Sequence, residues 1–189
     1  GQIFARLVLN LKRPTVGLLN VGSEEQKGHE ELREASTILR QIDLPMEFIG
    51  FVEGDDITAG TVDVIVTDGF SGNIALKAAE GTSRMFTFFL KEAFGSSIYS
   101  KIGYVFSKKA INQVRERMDP RKYNGAVFLG LNGIAVKSHG STDSLGFANA
   151  IGVAADMSKY GFLDKVKDEL RILHAEGEAS EKLRGTGDA

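Results

Sequence analysis

Val62-Asp63-Val64-Ile65-Val66-Thr67-Asp68-Gly69-Phe70-Ser71-Gly72-Asn73 sets the architecture of this chain. Val62 to Val66 is an apolar run and reads as a buried strand. A long helical pattern follows from near Ile74, and the residues between make a tight glycine turn. At such a junction the first helical N–H groups lack intrahelical partners, and the helix dipole places partial positive charge there, so the junction suits an anion. Lys77 lies four residues beyond Asn73, about one helical turn, and adds a full charge to the same edge. An ordinary βα turn would place its glycines here for steric reasons alone.

Two further stretches repeat the theme. Thr15-Val16-Gly17-Leu18-Leu19-Asn20-Val21-Gly22-Ser23 is a strand running into a Gly/Asn/Ser turn. Ala135-Val136-Lys137-Ser138-His139-Gly140-Ser141-Thr142-Asp143 is the third. Ligands of open α/β sheets sit outside the carboxyl ends of the strands. Three strand ends of one type therefore predict one shared edge, a cradle for a tetrahedral anion.

The rest of the chain alternates. A helix over 2–11 ends near Asn10, strand 15–20 follows, and residues 28–42 form a helix with Leu32, Ala35, Ile38, Leu39 and Ile42 on one face. Strand 46–51, a polar loop at 53–56, strand 62–67 and a helix over 73–94 come next. This order predicts parallel strands joined by crossovers. Residues 126–129 and 134–136 read as a hairpin or strand pair around Leu131-Asn132-Gly133. A Gly/Ala-rich helix runs from Thr142, another carries Phe162, Leu163, Val166, Leu170 and Leu173, and the tail 176–189 is polar and expected to fray.

Bulk properties narrow the classes. The 189 residues are 42% hydrophobic and 25% charged, which suits a globular domain or a large part of one. A formal net charge of −2 argues against wholesale nucleic-acid binding. With no cysteine there is no thiol nucleophile or Cys-based zinc site, which fits a reducing cytoplasm. No apolar stretch approaches the roughly 18 uncharged residues of a membrane-spanning helix. The chain opens at Gly1 in what reads as the last turns of a helix, so a longer parent is expected.

Residues 95–122 differ in character. Ile98, Tyr99, Ile102, Tyr104, Val105 and Phe106 accompany Lys101, Lys108, Lys109, Arg115 and Arg117 in a basic, aromatic-rich helical excursion. A dimer arm with a solvated basic face is one reading. A docking surface for an acidic or lipidic partner is the other.

The acid/base inventory near the inferred edge is Asp68, Lys77, His139 and Asp143, with Lys27 and His29 nearby. Ser141, His139 and Asp143 could compose a nucleophilic triad, but no Gly-x-Ser-x-Gly elbow is present. Scattered histidines and unclustered carboxylates make no metal site. No Walker A or Gly-x-Gly-x-x-Gly pattern occurs in strand-to-helix context. What remains is an oxyanion site of turn N–H groups, hydroxyls, an Asn, a Lys and a His, suited to phosphate and acyl or phosphoryl chemistry.

Val16-Gly17-Leu18-Leu19-Asn20-Val21-Gly22-Ser23-Glu24 with Lys27-Gly28, Val64 through Asn73 running on to Leu76-Lys77 and Glu80-Gly81, and Ala135 through Ser144 appear in the order of a known family. Together they resemble the bacterial phosphate acyltransferases of phospholipid synthesis, over about Gly1 to Met157. That family moves a long-chain fatty acyl group from acyl carrier protein to inorganic phosphate. A membrane acyltransferase then uses the acyl phosphate. The resemblance implies an α/β fold with a three-layer parallel or mixed sheet flanked by helices, like isocitrate/isopropylmalate dehydrogenases. It also implies a homodimer, cytoplasmic or peripheral at the inner face of the membrane, and no cofactor. Members are longer and carry an N-terminal Ala-Met-Gly-Gly-Asp-type segment that is absent here. The chain resembles their C-terminal half, at 1–175, with the helical arm at 95–122 and the tail at 176–189.

By position, the resemblance puts phosphate against Gly69, Ser71, Gly72 and Asn73 and against Gly140 and Ser141. His139, Lys77 and Asp68 become the catalytic candidates. Lys101, Lys108, Lys109, Arg115 and Arg117 face acyl carrier protein or the bilayer. Two rival expectations are an NAD-dependent decarboxylating dehydrogenase of the same fold group and a non-catalytic docking module.

Overall fold

The computed structural model describes residues 1–171. Leu173 and the tail 176–189 lie outside the described residues. The chain divides into two compact units, Gly1–Lys108 and the part from Lys109 onward.

The first unit opens with α1 (Gln2–Val8) and β1 (Thr15–Leu19), then α2 (Glu30–Gln41) and β2 (Glu47–Val52). It continues through α3 (Asp56–Ala59) and β3 (Val64–Val66) to α4 (Gly69–Gly95) and the start of α5 (Ile98–Arg117). All three strands are parallel, in the order β2-β1-β3. The sequence explains why β1 is central. Val16, Gly17 and Leu18 are buried in succession, as expected of a parallel strand covered on both faces. Pro14, which has no N–H to leave unpaired, is fully buried just before it. A Cβ on Gly17 would stand 2.6 Å from Val52 Cγ1, so only glycine lets β1 and β2 approach.

Pairing passes from Val16↔Phe48 to Gly17↔Gly50, leaving Ile49 as a bulge. Gly50 takes it up at φ 106°. Asp63, just before β3, is tied to the start of β1. Its carboxylate accepts the Thr15 N–H and the Thr15 hydroxyl, each at 2.8 Å, and its own N–H donates to Thr15 Oγ1 at 2.8 Å.

Two elements differ from expectation. The segment 53–56, expected as loop, leads into α3, because the Asp56 carboxylate accepts the Glu53 N–H and the Thr61 hydroxyl while Gly60 closes the turn in the left-handed region. The glycine turn before Ile74 is already helix. Asp68 caps α4, so Gly69 to Asn73 form its first turns.

The second unit carries the end of α5 and a 3-10 helix, Pro120–Tyr123. Next come β4 (Ala126–Val127), β5 (Val136–Lys137) and α6 (Ser144–Lys159), and a helical stretch starts at 162. β4 and β5 pair antiparallel, Ala126 opposite Lys137 and Val127 opposite Val136. The Ala135–Ser138 run therefore belongs to a two-stranded ribbon and not to the parallel sheet. Short apolar runs flanking a Gly/Asn turn fit a hairpin, and here that local connection prevails. Ala150, Met157 and Phe162 supply buried apolar surface.

No residue of α4 or α5 is buried among the described residues. Phe88, Phe89, Tyr99, Val105 and Phe106 are exposed. Phe94 meets Tyr104 edge to face with centroids 5.4 Å apart. No described helix is long and apolar enough to cross a membrane.

Candidate functional site

In the first unit the strand order places two of the expected loops side by side. β1 is followed by β2 on one flank and then by β3 on the other, so the direction of winding reverses between β1 and β3. That reversal is the topological switch point of an open α/β sheet, where ligand crevices form. Leu18 pairs with Val66, and the loops after these residues, Asn20–Ser23 and Thr67–Asp68, leave neighbouring strands at the same end.

The loop after β1 is wired from within. Asn20, only 8% exposed, donates from Nδ2 to the Lys27 carbonyl at 3.0 Å, and its Oδ1 accepts the Val21 N–H. Gly28, at φ 86°, packs against that side chain so closely that a Cβ would strike Asn20 Oδ1. Glu53, which sequence reasoning missed, accepts the Ser23 N–H at 3.2 Å. Lys27 pairs with Glu24 at 2.7 Å, which raises the lysine and lowers the carboxyl from their ordinary ranges.

The loop after β3 is organised by Asp68. Its Oδ1 accepts the N–H groups of Phe70 and Ser71, both at 2.8 Å. The Ser71 side chain and then its N–H hold the Asp68 carboxyl below the usual carboxylate range. The first N–H groups of α4, expected open to an anion, are thus partly occupied by a carboxylate of the chain itself. Gly72 has a steric reason, since a Cβ there would lie 2.6 Å from Thr67 Cγ2. Lys77 stands roughly 12 Å along the axis from Gly69 at helical rise. It pairs with Glu80 at 2.9 Å.

In the second unit His139 and Ser141 come together. Ser141 Oγ lies 2.9 Å from His139 Nδ1, and the Ser141 N–H donates to the same nitrogen at 3.3 Å. A backbone N–H only donates, so Nδ1 is the acceptor and the neutral ring carries its proton on Nε2. A hydrolytic triad needs the opposite arrangement, with the carboxylate on Nδ1 and the nucleophile on Nε2. Asp143 caps α6 through Gly146 N–H at 3.0 Å and pairs with Arg121 at 3.0 Å. The Ser141-His139-Asp143 set is therefore no triad.

Asn124 was not singled out from the sequence, and Arg121 stood only among the basic residues of 95–122. Asn124, 8% exposed, accepts the His139 N–H at 2.9 Å and donates to Ser138 Oγ at 2.9 Å and the Gly146 carbonyl at 2.8 Å. The Asn-Gly pair at 124–125, ahead of an apolar run, was the available signal. Lys101, Lys108 and Arg115 recur every seven residues along α5, which keeps them on one side of it, and all are exposed, as are Lys109 and Arg117. Among the described residues no group of three or more His, Asp or Glu could hold a metal ion.

Fold and loops together define an α/β protein with a small parallel sheet and polar loops at its strand ends. The chain belongs to the fatty acid synthesis protein family, whose model matches residues 1–165. It is 61% identical over 180 residues to the phosphate acyltransferase of Rhodospirillum centenum, covering 95% of this chain and 51% of that protein. It is 56% identical over 187 residues to the phosphate acyltransferase of Paramagnetospirillum magneticum, covering 98% and 53%. For the Agrobacterium fabrum phosphate acyltransferase the identity is 57% over 176 residues, covering 93% and 50%. The chain thus spans about half the length of the curated relatives it matches. Neither the dehydrogenase nor the docking-module expectation finds support in these relatives.

Proposed function

We propose that the protein serves the transfer of a long-chain fatty acyl group from acyl carrier protein to inorganic phosphate, giving acyl phosphate for phospholipid synthesis. Similarity to phosphate acyltransferases along nearly the whole chain carries this reading. The family fold grouping we assign is that of the isocitrate/isopropylmalate dehydrogenases.

A phosphate oxygen attacks the thioester carbonyl carbon, the new C–O bond forms, the C–S bond breaks, and the sulfur leaves as the carrier thiol, with the proton that monohydrogen phosphate brought. Phosphate is already anionic, so the step needs orientation and a donor to the developing oxyanion more than a strong base. In the second unit His139, with its proton on Nε2, is such a donor, beside the Gly140 N–H, while Ser141 is engaged in holding Nδ1. In the first unit Asp68 is a carboxylate able to accept the P–OH of monohydrogen phosphate. The Gly69 N–H and the side chains of Ser71 and Asn73 add polar contacts to that same loop, the Gly72 N–H being spent on the Asp68 carbonyl. Lys77, in a surface pair with Glu80 on α4, compensates charge in the same unit.

Lys101, Lys108, Lys109, Arg115 and Arg117 give α5 the charge that complements an acidic carrier protein. The exposed apolar residues of α4 and α5 suit a homodimer contact and peripheral contact at the inner face of the membrane, with the protein otherwise cytoplasmic. The test is direct. Protein incubated with long-chain acyl carrier protein should release carrier thiol and form acyl phosphate, seen by mass spectrometry, only when phosphate is present. Release that ignores phosphate would overturn the proposal.

A further inference from the structure

We propose that Asn124 is the positioning residue for His139, holding the imidazole in place for acyl transfer. This rests on the proposed role of His139 as a donor. One carboxamide joins three segments: the end of the 3-10 helix, the exit of β5 and the first turn of α6. Both ends of the amide are fixed by partners whose roles cannot invert. The His139 backbone N–H only donates, so it faces Oδ1. The Gly146 carbonyl only accepts, so it faces Nδ2. Nδ2 also donates to Ser138 Oγ, so both of its hydrogens are engaged.

The backbone on either side of these contacts is closely packed. Gly125 runs against α6 at φ 126°, where a Cβ would lie 3.0 Å from Val153 Cγ2 and 3.3 Å from Ala150 Cα. A Cβ on Gly146 would strike Thr142 Oγ1. Asn149 of α6 donates to the Arg121 carbonyl at 2.8 Å, anchoring the 3-10 helix from the other side. The chain at His139 is thus held by its own N–H, and the ring is then turned by Ser141 through Nδ1. A ring held at both its backbone and its Nδ1 presents Nε2 in one direction. A displacement of about 1 Å in such a group costs up to about a hundredfold in rate.

Uniformly labelled full chain carrying Asn124→Ala tests this by long-range nitrogen–proton correlation of the His139 ring together with kinetics. Wild type should show the Nε2–H tautomer. Folded Asn124→Ala should show averaged ring nitrogens, with kcat lowered by about tenfold or more and KM for phosphate held within about threefold. Wild-type ring signals with wild-type kcat in folded Asn124→Ala would overturn the proposal. Should Asn124→Ala fail to fold, Asn124→Asp keeps the acceptor for the His139 N–H and sets a carboxylate against the Gly146 carbonyl. Its ring signals should depart from wild type at neutral pH, where the carboxylate cannot donate to the Gly146 carbonyl. Wild-type ring signals at neutral pH in folded Asn124→Asp would overturn it. His139→Ala separates the two layers, because wild-type turnover there removes the catalytic role of His139 while the ring readout of Asn124 stands.

Discussion

Arg121 grips Asp119 along one edge of its guanidinium, with Nε at 2.9 and 3.1 Å and Nη2 at 2.6 Å from the carboxylate oxygens. Nη1 of the same group reaches Asp143, the cap of α6, at 3.0 Å. Arg121 pulls the Asp119 carboxyl down from 3.8 to about 2. A carboxyl lowered in the folded state stabilises the fold above its unfolded value, and that contribution fades as acid protonates it. Its stabilisation should therefore be complete above pH 3.8 and decline as pH falls towards about 2. In Arg121→Gln that component of the acid dependence should shrink in denaturant midpoints measured between those limits, leaving the part that the backbone N–H of residue 121 supplies to Asp119.

Gly28 and Gly60 separate backbone strain from steric conflict. Both lie in the left-handed region, at φ 86° and 68°. A Cβ on Gly28 meets the buried Asn20 amide, whereas one on Gly60 meets nothing within 4 Å. Gly60→Ala should cost about 1 kcal/mol in chemical denaturation, the strain alone. Gly28→Ala should cost about 2 kcal/mol or more, since the amide must also move.

Asp68→Asn distinguishes cap from charge. Asn caps a helix about as well as Asp, so thermal stability should stay near wild type, while Asp68→Ala should lose it. Turnover with phosphate should fall about tenfold or more in Asp68→Asn, because the acceptor for P–OH is gone. Sulfate, which offers no P–OH, should inhibit wild type weakly and Asp68→Asn more strongly.

The seven-residue spacing of Lys101, Lys108 and Arg115 predicts a selective kinetic defect. Reversing all three charges should raise KM for acyl carrier protein about tenfold or more at low salt and leave KM for phosphate unchanged. The defect should shrink as ionic strength screens the interaction.

Strand and helix identities were legible wherever the apolar period was unbroken, as in β1, α2 and α6. The start of α4 was not, because Gly69-Phe70-Ser71-Gly72-Asn73 carries turn residues throughout. The Asp68 carboxylate outweighs their poor propensity by satisfying two N–H groups. The third strand end was visible as an apolar run, but periodicity does not report whether a run pairs parallel or antiparallel. His139 and Ser141 were legible as candidates because they are two residues apart. Thr15–Asp63 and Asn124–Gly146 were not, since their partners lie 48 and 22 residues away. Local pattern fixes the period of an element and leaves distant side-chain pairing open.

The central place of β1 bears on how the first unit comes apart. Both β2 and β3 are held through it, so neither flank can open its ladder without disturbing Val16, Gly17 and Leu18, which pair on both sides. Amide exchange should accordingly be slowest at Val16, Gly17 and Leu18, and the three strands should lose protection in a single cooperative event.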